Sequence, residues 1–240
     1  MTEPSFWVVV PAAGVGRRMG GAVPKQYLDL VGRPVIDHAI ERTLMHPSVD
    51  GLYLALSDED RWWEHTEFAG HPDLVRVTGG AERCHSVLNA LHALQRRARP
   101  SDWVLVHDAA RPCVRRSDID HLIDMLRNHD VGGILGLPVH DTMKRTDAAD
   151  RIVETVVRDH LWRAFTPQMF RFGVLLEAME AALDAGQLVT DEASAVEWSG
   201  RTPVMVEGHA DNLKITRPED LPLAAFFLQR QAESGEHVIA

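Results

Sequence analysis

Six short apolar runs recur along the chain, at Phe6–Val10, Leu52–Leu56, Leu74–Val77, Trp103–Val106, Ile134–Val139 and Val204–Val206, and amphipathic helical patterns fill most of the intervals between them. Strands that are apolar on both faces and separated by helices can bury themselves only in a mainly parallel sheet covered on both sides. Pro34–Met45 places Val35, Ile36, Ala39, Ile40 and Leu44 on one stripe, and Glu82–Arg97 does the same with Val87, Leu88, Leu91 and Leu94. Both segments are read as crossover helices. The fold class expected is α/β, with a Rossmann-like open sheet.

The alternation stops after Val139. In "DTMKRTDAADRIVETVV" two strand-like pieces flank the turn-forming stretch Asp147–Asp150, with no helix between them. This predicts a protruding β-hairpin arm at about residues 140–160. No Gly/Ser-rich or Pro-rich linker divides the 240 residues, so one domain spanning 1–240 is expected.

A formal net charge of -10 and a pI near 5.7 exclude a nucleic-acid groove or an anionic membrane surface as the main partner. Cys84 and Cys113 are too few for a disulfide framework and lack zinc-ligand spacing, and the thirteen histidines show no ligand motif. No signal peptide or membrane span is evident, so a cytoplasmic protein is expected.

Against this acidic background the segment "VVVPAAGVGRRMGGAVPKQYL", Val8–Leu28, carries two arginines, a lysine and several glycines without one acidic residue. It follows the first strand, where open α/β sheets often bind phosphate. Met19 breaks a Rossmann glycine fingerprint, and Lys25 between Pro24 and Gln26 does not make a P-loop. The remaining pattern is G-x-G-x-R followed by a lysine seven residues after Arg18. Glycines let backbone N–H groups approach phosphate oxygens while cations reach the same charge. The loop alone is equally compatible with a solvated glycine loop carrying incidental cations.

Eight blocks in order, "PAAGVGRRM", "PKQYL", "GGAERCHSV", "VHDAARPCV", "PVHDTMKR", "TPQMF", "TDEASAVE" and "ADNLKITRPEDL", cover nearly the whole chain. They resemble the nucleotidyltransferases of the sugar-phosphate type, and among them the 2-C-methyl-D-erythritol 4-phosphate cytidylyltransferase family in its single-function form. The resemblance implies attack of a substrate phosphate on the α-phosphorus of CTP, with Mg²⁺ as cofactor. It also implies a homodimer built through the arm.

By that resemblance Arg18 and Lys25 hold the triphosphate and stabilise the transition state, and Ala12, Ala13, Gly14 and Gly16 form the backbone cradle. Gly80, Ala81 and Ser86 read the base, Ala81 standing where the family more often has aspartate. Asp108, just past a buried strand, is a substrate-binding carboxylate and a candidate Mg²⁺ ligand, and Arg111 joins it. Thr142 and Arg158 on the arm serve the partner's site, with His140 in place of a more usual arginine. Thr166 is a further substrate contact. Lys214 contacts the acceptor phosphate and Asp211 helps fix it, the two lying side by side on a late strand. "TDEASAVE" is assigned a structural role as a capped helix, with Thr190 or Asp191 as the cap.

Two other functions fit parts of the pattern. A ribitol 5-phosphate cytidylyltransferase shares the CTP half and differs at "HDAARPC" and "PVHDTMKR". A non-catalytic nucleotide-binding regulator keeps the glycine cradle but has no need of Arg18, Lys25, Asp108, Arg158 and Lys214 together.

Overall fold

The computed structural model describes residues 3–14 and 23–236. Its main sheet has seven strands: β1 (Phe6–Pro11), β4 (Gly51–Leu56), β5 (Leu74–Thr78), β6 (Trp103–Val106), β7 (Gly132–Pro138), β10 (Trp162–Arg171) and β11 (Val204–Glu207). They lie in the order β11-β7-β10-β6-β1-β4-β5. All neighbours pair in parallel except at β10, which runs antiparallel to both β6 and β7. Each of the six apolar runs lies wholly or mostly in one of these strands.

Alternation along β1 explains the two-sided core. Val8 and Val10 pack with Ile36 and Ile40 of α1 (Val35–Leu44) and with Leu122 and Leu126 of α3 (Arg116–Leu126). Trp7 and Val9 point the other way, onto Val87 and Leu91 of α2 (Arg83–Leu94) and Leu175 and Met179 of α4 (Phe172–Asp184). Every second residue thus meets a different helix layer, which is why these strands are apolar throughout.

A smaller core joins the ends of the chain. Leu30 of β2 (Asp29–Leu30) and Val35 pack on Ala224 and Leu228 of α6 (Asp220–Glu233), with Cys113 and Ile215 between. The turn from β2 into β3 (Arg33–Pro34) has Val31 at φ 55° and Gly32 at φ 81°. The arm is the antiparallel pair β8 (Met143–Thr146) and β9 (Ile152–Val156), as the turn chemistry predicts. Asp147 accepts from the backbone N–H groups of Ala149 and Arg151 and closes its tip. The short α5 (Glu192–Trp198) packs on α4. Among the described residues no helix is long and apolar enough to cross a membrane.

Candidate active site

Parallel pairing sends the carboxyl ends of β1, β4, β5 and β6 to one edge of the sheet, so the segments that follow them converge there. A cleft of about 320 Å³ opens at this edge. Ala12, Ala13, Gly14, Lys25, Gly80, Ala81, Ser86, Asp108 and Lys214 all line it, joined by Gln26, Glu82 and Arg83. Residues more than two hundred positions apart are thereby brought to one concavity. Gly16 and Arg18 lie outside the described residues.

The segment after β1 and the turn carrying Lys25 are locked together by Gln26, whose Nε2 donates to the carbonyls of Ala12 at 2.9 Å and Gly14 at 3.3 Å. Lys25 Nζ donates to the Ile215 carbonyl at 3.1 Å, at the foot of the segment carrying Lys214. Tyr27 anchors the other side of this turn by donating its hydroxyl to Asp60 at 2.8 Å and stacking on Trp62. Burial and the Asp60 carboxylate push the phenol far above its ordinary pKa, so it stays a donor.

Opposite this segment, the turn after β5 needs both its glycines. A Cβ on Gly79 would come 2.3 Å from the Ala13 Cβ, and one on Gly80 would come 2.3 Å from the His85 Cβ. The Gly80 N–H donates to Ser86 Oγ at 3.0 Å, and that hydroxyl donates on to the Glu82 carbonyl at 3.2 Å. Ser86 is buried and in this state shapes the turn with its own hydroxyl.

Asp108 sits at the centre of the charge network. Arg83 Nε donates to Oδ1 at 3.1 Å, Lys214 Nζ lies 2.8 Å from Oδ2, and Arg111 Nε stands 3.7 Å away. Burial opposes ionisation here, but the surrounding cations, Arg83 and Lys214 foremost, outweigh it and hold the carboxyl well below the usual range. Arg83 also takes the carboxylate of fully buried Glu192 end-on, at 2.7 and 3.1 Å. Neither Arg83 nor Glu192 stands out as a functional residue in the sequence. Each is inside a block that reads as a helix start, and only the fold shows that the two helix starts meet directly, with Arg83 bridging Glu192 to Asp108.

Behind Asp108 the hydrogen bonds have one consistent direction. His107 Nε2 faces the Arg111 carbonyl at 3.0 Å, which can only accept, so Nε2 carries the proton and Nδ1 is an acceptor. Thr166 Oγ1, 3.0 Å from Nδ1, therefore donates to the histidine and accepts from the Asp108 N–H at 3.0 Å. Burial pushes the His107 pKa down to about 4.

This arrangement places two of the expected substrate contacts and corrects the strand expected for a further pair. Thr166 is buried outside the cleft lining, its hydroxyl already donating to His107 and accepting from Asp108, at a register shift in β10 between Ala164 and Gln168. Arg111 is also buried outside the lining: it donates to the Asn212 carbonyl at 2.7 Å and lies over the Phe165 ring, supporting Asp108 from behind. Asp211 and Lys214 do not share a strand, because β11 ends at Glu207 and both residues fall in the irregular segment beyond it. Asp211 turns away from the cleft to Arg115 at 2.7 Å and Gln231 at 2.8 Å, while Lys214 turns into it.

The α5 start agrees with the sequence expectation: Asp191 accepts from Ser194 N–H at 3.0 Å in a reciprocal capping box. On the arm, Thr142 is exposed and the Arg158 guanidinium donates to the His140 carbonyl. Neither Thr142 nor Arg158 lines the cleft of its own chain.

Among the described residues of the lining, the cations Lys25, Arg83 and Lys214 thus face the carboxylates Asp108 and Glu82, in a protein of strongly negative net charge. A cleft that would meet a polyphosphate with cations and backbone, its Ser86 hydroxyl already engaged, has the character of the α/β nucleotidyltransferase class. A family profile described as 2-C-methyl-D-erythritol 4-phosphate cytidylyltransferase matches residues 6–230. The protein of that name from Hahella chejuensis is 52% identical over 236 residues, covering 98% of each chain. The one from Pseudomonas aeruginosa is 52% identical over 219 residues, 91% of this chain and 94% of its own. A crystal structure of 4-diphosphocytidyl-2C-methyl-D-erythritol synthase superposes with a TM-score of 0.83 at 35% identity, over 95% of this chain and all of the other. The Thermus thermophilus enzyme gives 0.77 at 29% identity, over the same shares. The chain belongs to the 2-C-methyl-D-erythritol 4-phosphate cytidylyltransferase family.

Proposed function

We propose that the protein transfers a cytidylyl group from CTP to 2-C-methyl-D-erythritol 4-phosphate, releasing pyrophosphate and forming 4-diphosphocytidyl-2-C-methyl-D-erythritol for isoprenoid precursor synthesis. The observation that carries this reading is the convergence of Lys25, Lys214, Asp108 and the Gly80 turn on one cleft in a member of the family.

The acceptor's phosphate oxygen forms a bond to the α-phosphorus as the bond to the β-phosphate oxygen breaks. A phosphate monoester is already ionised at neutral pH, so no base is required to generate the nucleophile. The obstacle is repulsion between two anions and charge growth on the leaving pyrophosphate. Lys25, held beside the cradle, and Arg18 are assigned to the triphosphate, with Ala12, Ala13, Gly14 and Gly16 supplying backbone approach. The narrow turn of Gly80 and Ala81, held by Ser86, is assigned to the cytosine edge. Lys214 is assigned to the acceptor phosphate, for which it leaves Asp108.

Mg²⁺ fits as an ion brought by the nucleotide. Among the described residues no cluster of three ligating side chains exists, and Asp108, the candidate ligand, has both oxygens occupied by cations. Mg²⁺ commonly takes one carboxylate together with substrate phosphates and waters, and would supply charge neutralisation on the triphosphate.

A homodimer completes the site in this reading. Met143, Ile152, Val153 and Val157 leave apolar surface exposed on the arm, and Arg158 has no place in its own cleft. Arginine makes two parallel bonds to a phosphate and suits the partner's acceptor. A cytoplasmic location accords with the two buried free cysteines.

The test is pyrophosphate release from CTP and Mg²⁺ with either methylerythritol phosphate or ribitol 5-phosphate as acceptor. Turnover is expected with the first. Equal turnover with ribitol 5-phosphate would overturn the acceptor assignment, and none with either would favour a regulator.

A further inference from the structure

We propose that Glu192 is a positioning residue for this reaction, acting on Asp108 through Arg83. Glu192 is fully buried at the first turn of α5, yet the helix does not use its carboxylate. Asp191 and Ser194 already satisfy the N-terminus, and Gln168 Oε1 accepts from the Ala193 N–H at 2.9 Å. What the carboxylate does is hold Arg83, with Oε1 2.7 Å from one terminal guanidinium nitrogen and Oε2 3.1 Å from the other. A buried acid kept for no capping purpose and committed bidentately to one guanidinium fixes that guanidinium's plane.

The consequence falls on Asp108. With both terminal nitrogens bound to Glu192, Arg83 presents Nε to Asp108 Oδ1 at 3.1 Å. The other oxygen faces Lys214 on the cleft side. Arg83 released from Glu192 would be free to close on both oxygens of Asp108 or to swing into the cleft, since the arginine side chain has many rotamers and a fork that fits a carboxylate. Glu192 thus keeps Oδ2 available for exchange between Lys214 and substrate. A lysine at position 83 could not replace the arginine, because one ammonium cannot hold the same planar geometry toward two acids.

The inference rests on the cytidylyltransferase reading, so wild-type turnover is established first and the variants are then compared in the same assay. Glu192→Gln is expected to lower kcat roughly 10- to 100-fold through misplacement of the reacting groups. The KM for CTP should move less than about threefold, because the cradle and base turn are untouched. In an Arg83→Met background, adding Glu192→Gln should leave kcat unchanged, since Glu192 then has nothing to position. Thermal melting of each variant separates misfolding from misplacement, because Arg83→Met alone leaves the buried Glu192 carboxylate without its guanidinium while the double variant leaves no such charge. A nitrogen-15 spectrum of the Arg83 Nε–H gives a readout independent of turnover: a protected signal in wild type that shifts or broadens in Glu192→Gln. The proposal is overturned if Glu192→Gln leaves kcat at the wild-type value, if it costs as much in the Arg83→Met background as in wild type, or if the Arg83 signal is the same in both proteins.

Discussion

Lys214 Nζ lies 2.8 Å from Asp108 Oδ2, so the cation assigned to the acceptor phosphate is held in waiting by a carboxylate of the same cleft. Because Arg83 holds the opposite oxygen, Asp108 keeps a partner when Lys214 moves. Lys214→Ala is therefore expected to leave the fold intact and to lower kcat/KM for methylerythritol phosphate by about 10²-fold, the scale of losing one charged donor in a site of this kind. Steady-state kinetics with the acceptor varied, alongside thermal melting, decides it; a collapsed melting temperature with normal turnover would make Lys214 structural.

Lys25 Nζ donates to the Ile215 carbonyl, a hydrogen bond from a charged donor, of a kind worth about 1.5–3 kcal/mol. Lys25→Ala should lower stability by no more than that scale while leaving the protein folded, and should cost about 10²–10³ in kcat. Normal kcat in the soluble variant would remove it from the chemistry.

The arm makes a prediction about subunits. Lys25→Ala and Arg158→Ala homodimers each have every site damaged, but a mixed dimer contains one intact site if Arg158 serves the partner. Random exchange should restore roughly a quarter of wild-type activity, as two-fold symmetry requires. Mass analysis with tagged subunits verifies exchange, and confirmed exchange without recovery would remove the shared site while leaving the reaction in place.

His107 gives the stability a defined pH dependence. The unfolded chain takes up the imidazole proton near the ordinary histidine value of about 6.5 and the folded chain only near 4. The neutral, buried form therefore contributes fully above pH 6.5, and its contribution is lost as pH falls towards 4, by up to about 3 kcal/mol. In His107→Gln the gap to wild type should be widest at about pH 7.5 and should shrink by about pH 4.5. Urea melts at the two pH values test this, and a gap that does not change would mean that His107 titrates normally.

Val31 holds a left-handed backbone, φ 55°, while half exposed. A β-branched residue is unfavourable there by about 1–2 kcal/mol, and asparagine followed by the existing Gly32 suits a tight hairpin far better. Val31→Asn should raise thermal stability with turnover unchanged. A lower melting temperature would show that the valine side chain contributes packing that outweighs the strain.

Much of this fold is legible in consecutive residues of the sequence. The apolar runs mark strands because a residue buried on both faces must be apolar at every position, and β1 and β4 read that way along their length. The arm is legible from Asp147–Asp150, whose side chains favour a turn. Local chemistry decides each of these, and local chemistry is written in consecutive residues.

What only the tertiary structure decided is where each polar side chain spends its hydrogen bonds. Thr166 and Arg111 stand in separate blocks of the sequence, and only the fold shows that Thr166 bridges His107 and Asp108 while Arg111 reaches the Asn212 carbonyl. Arg83 and Glu192 resemble helix starts, yet a separation of 109 residues in sequence closes to 2.7 Å. Asp211 and Lys214 are three residues apart and face opposite partners, because the segment that carries them is irregular and no strand alternation fixes their directions. The physical reason is common to all of these. Hydrophobic periodicity places backbone elements by averaging over many weak contacts, whereas a buried charge takes whichever partner the finished packing brings within about 3 Å.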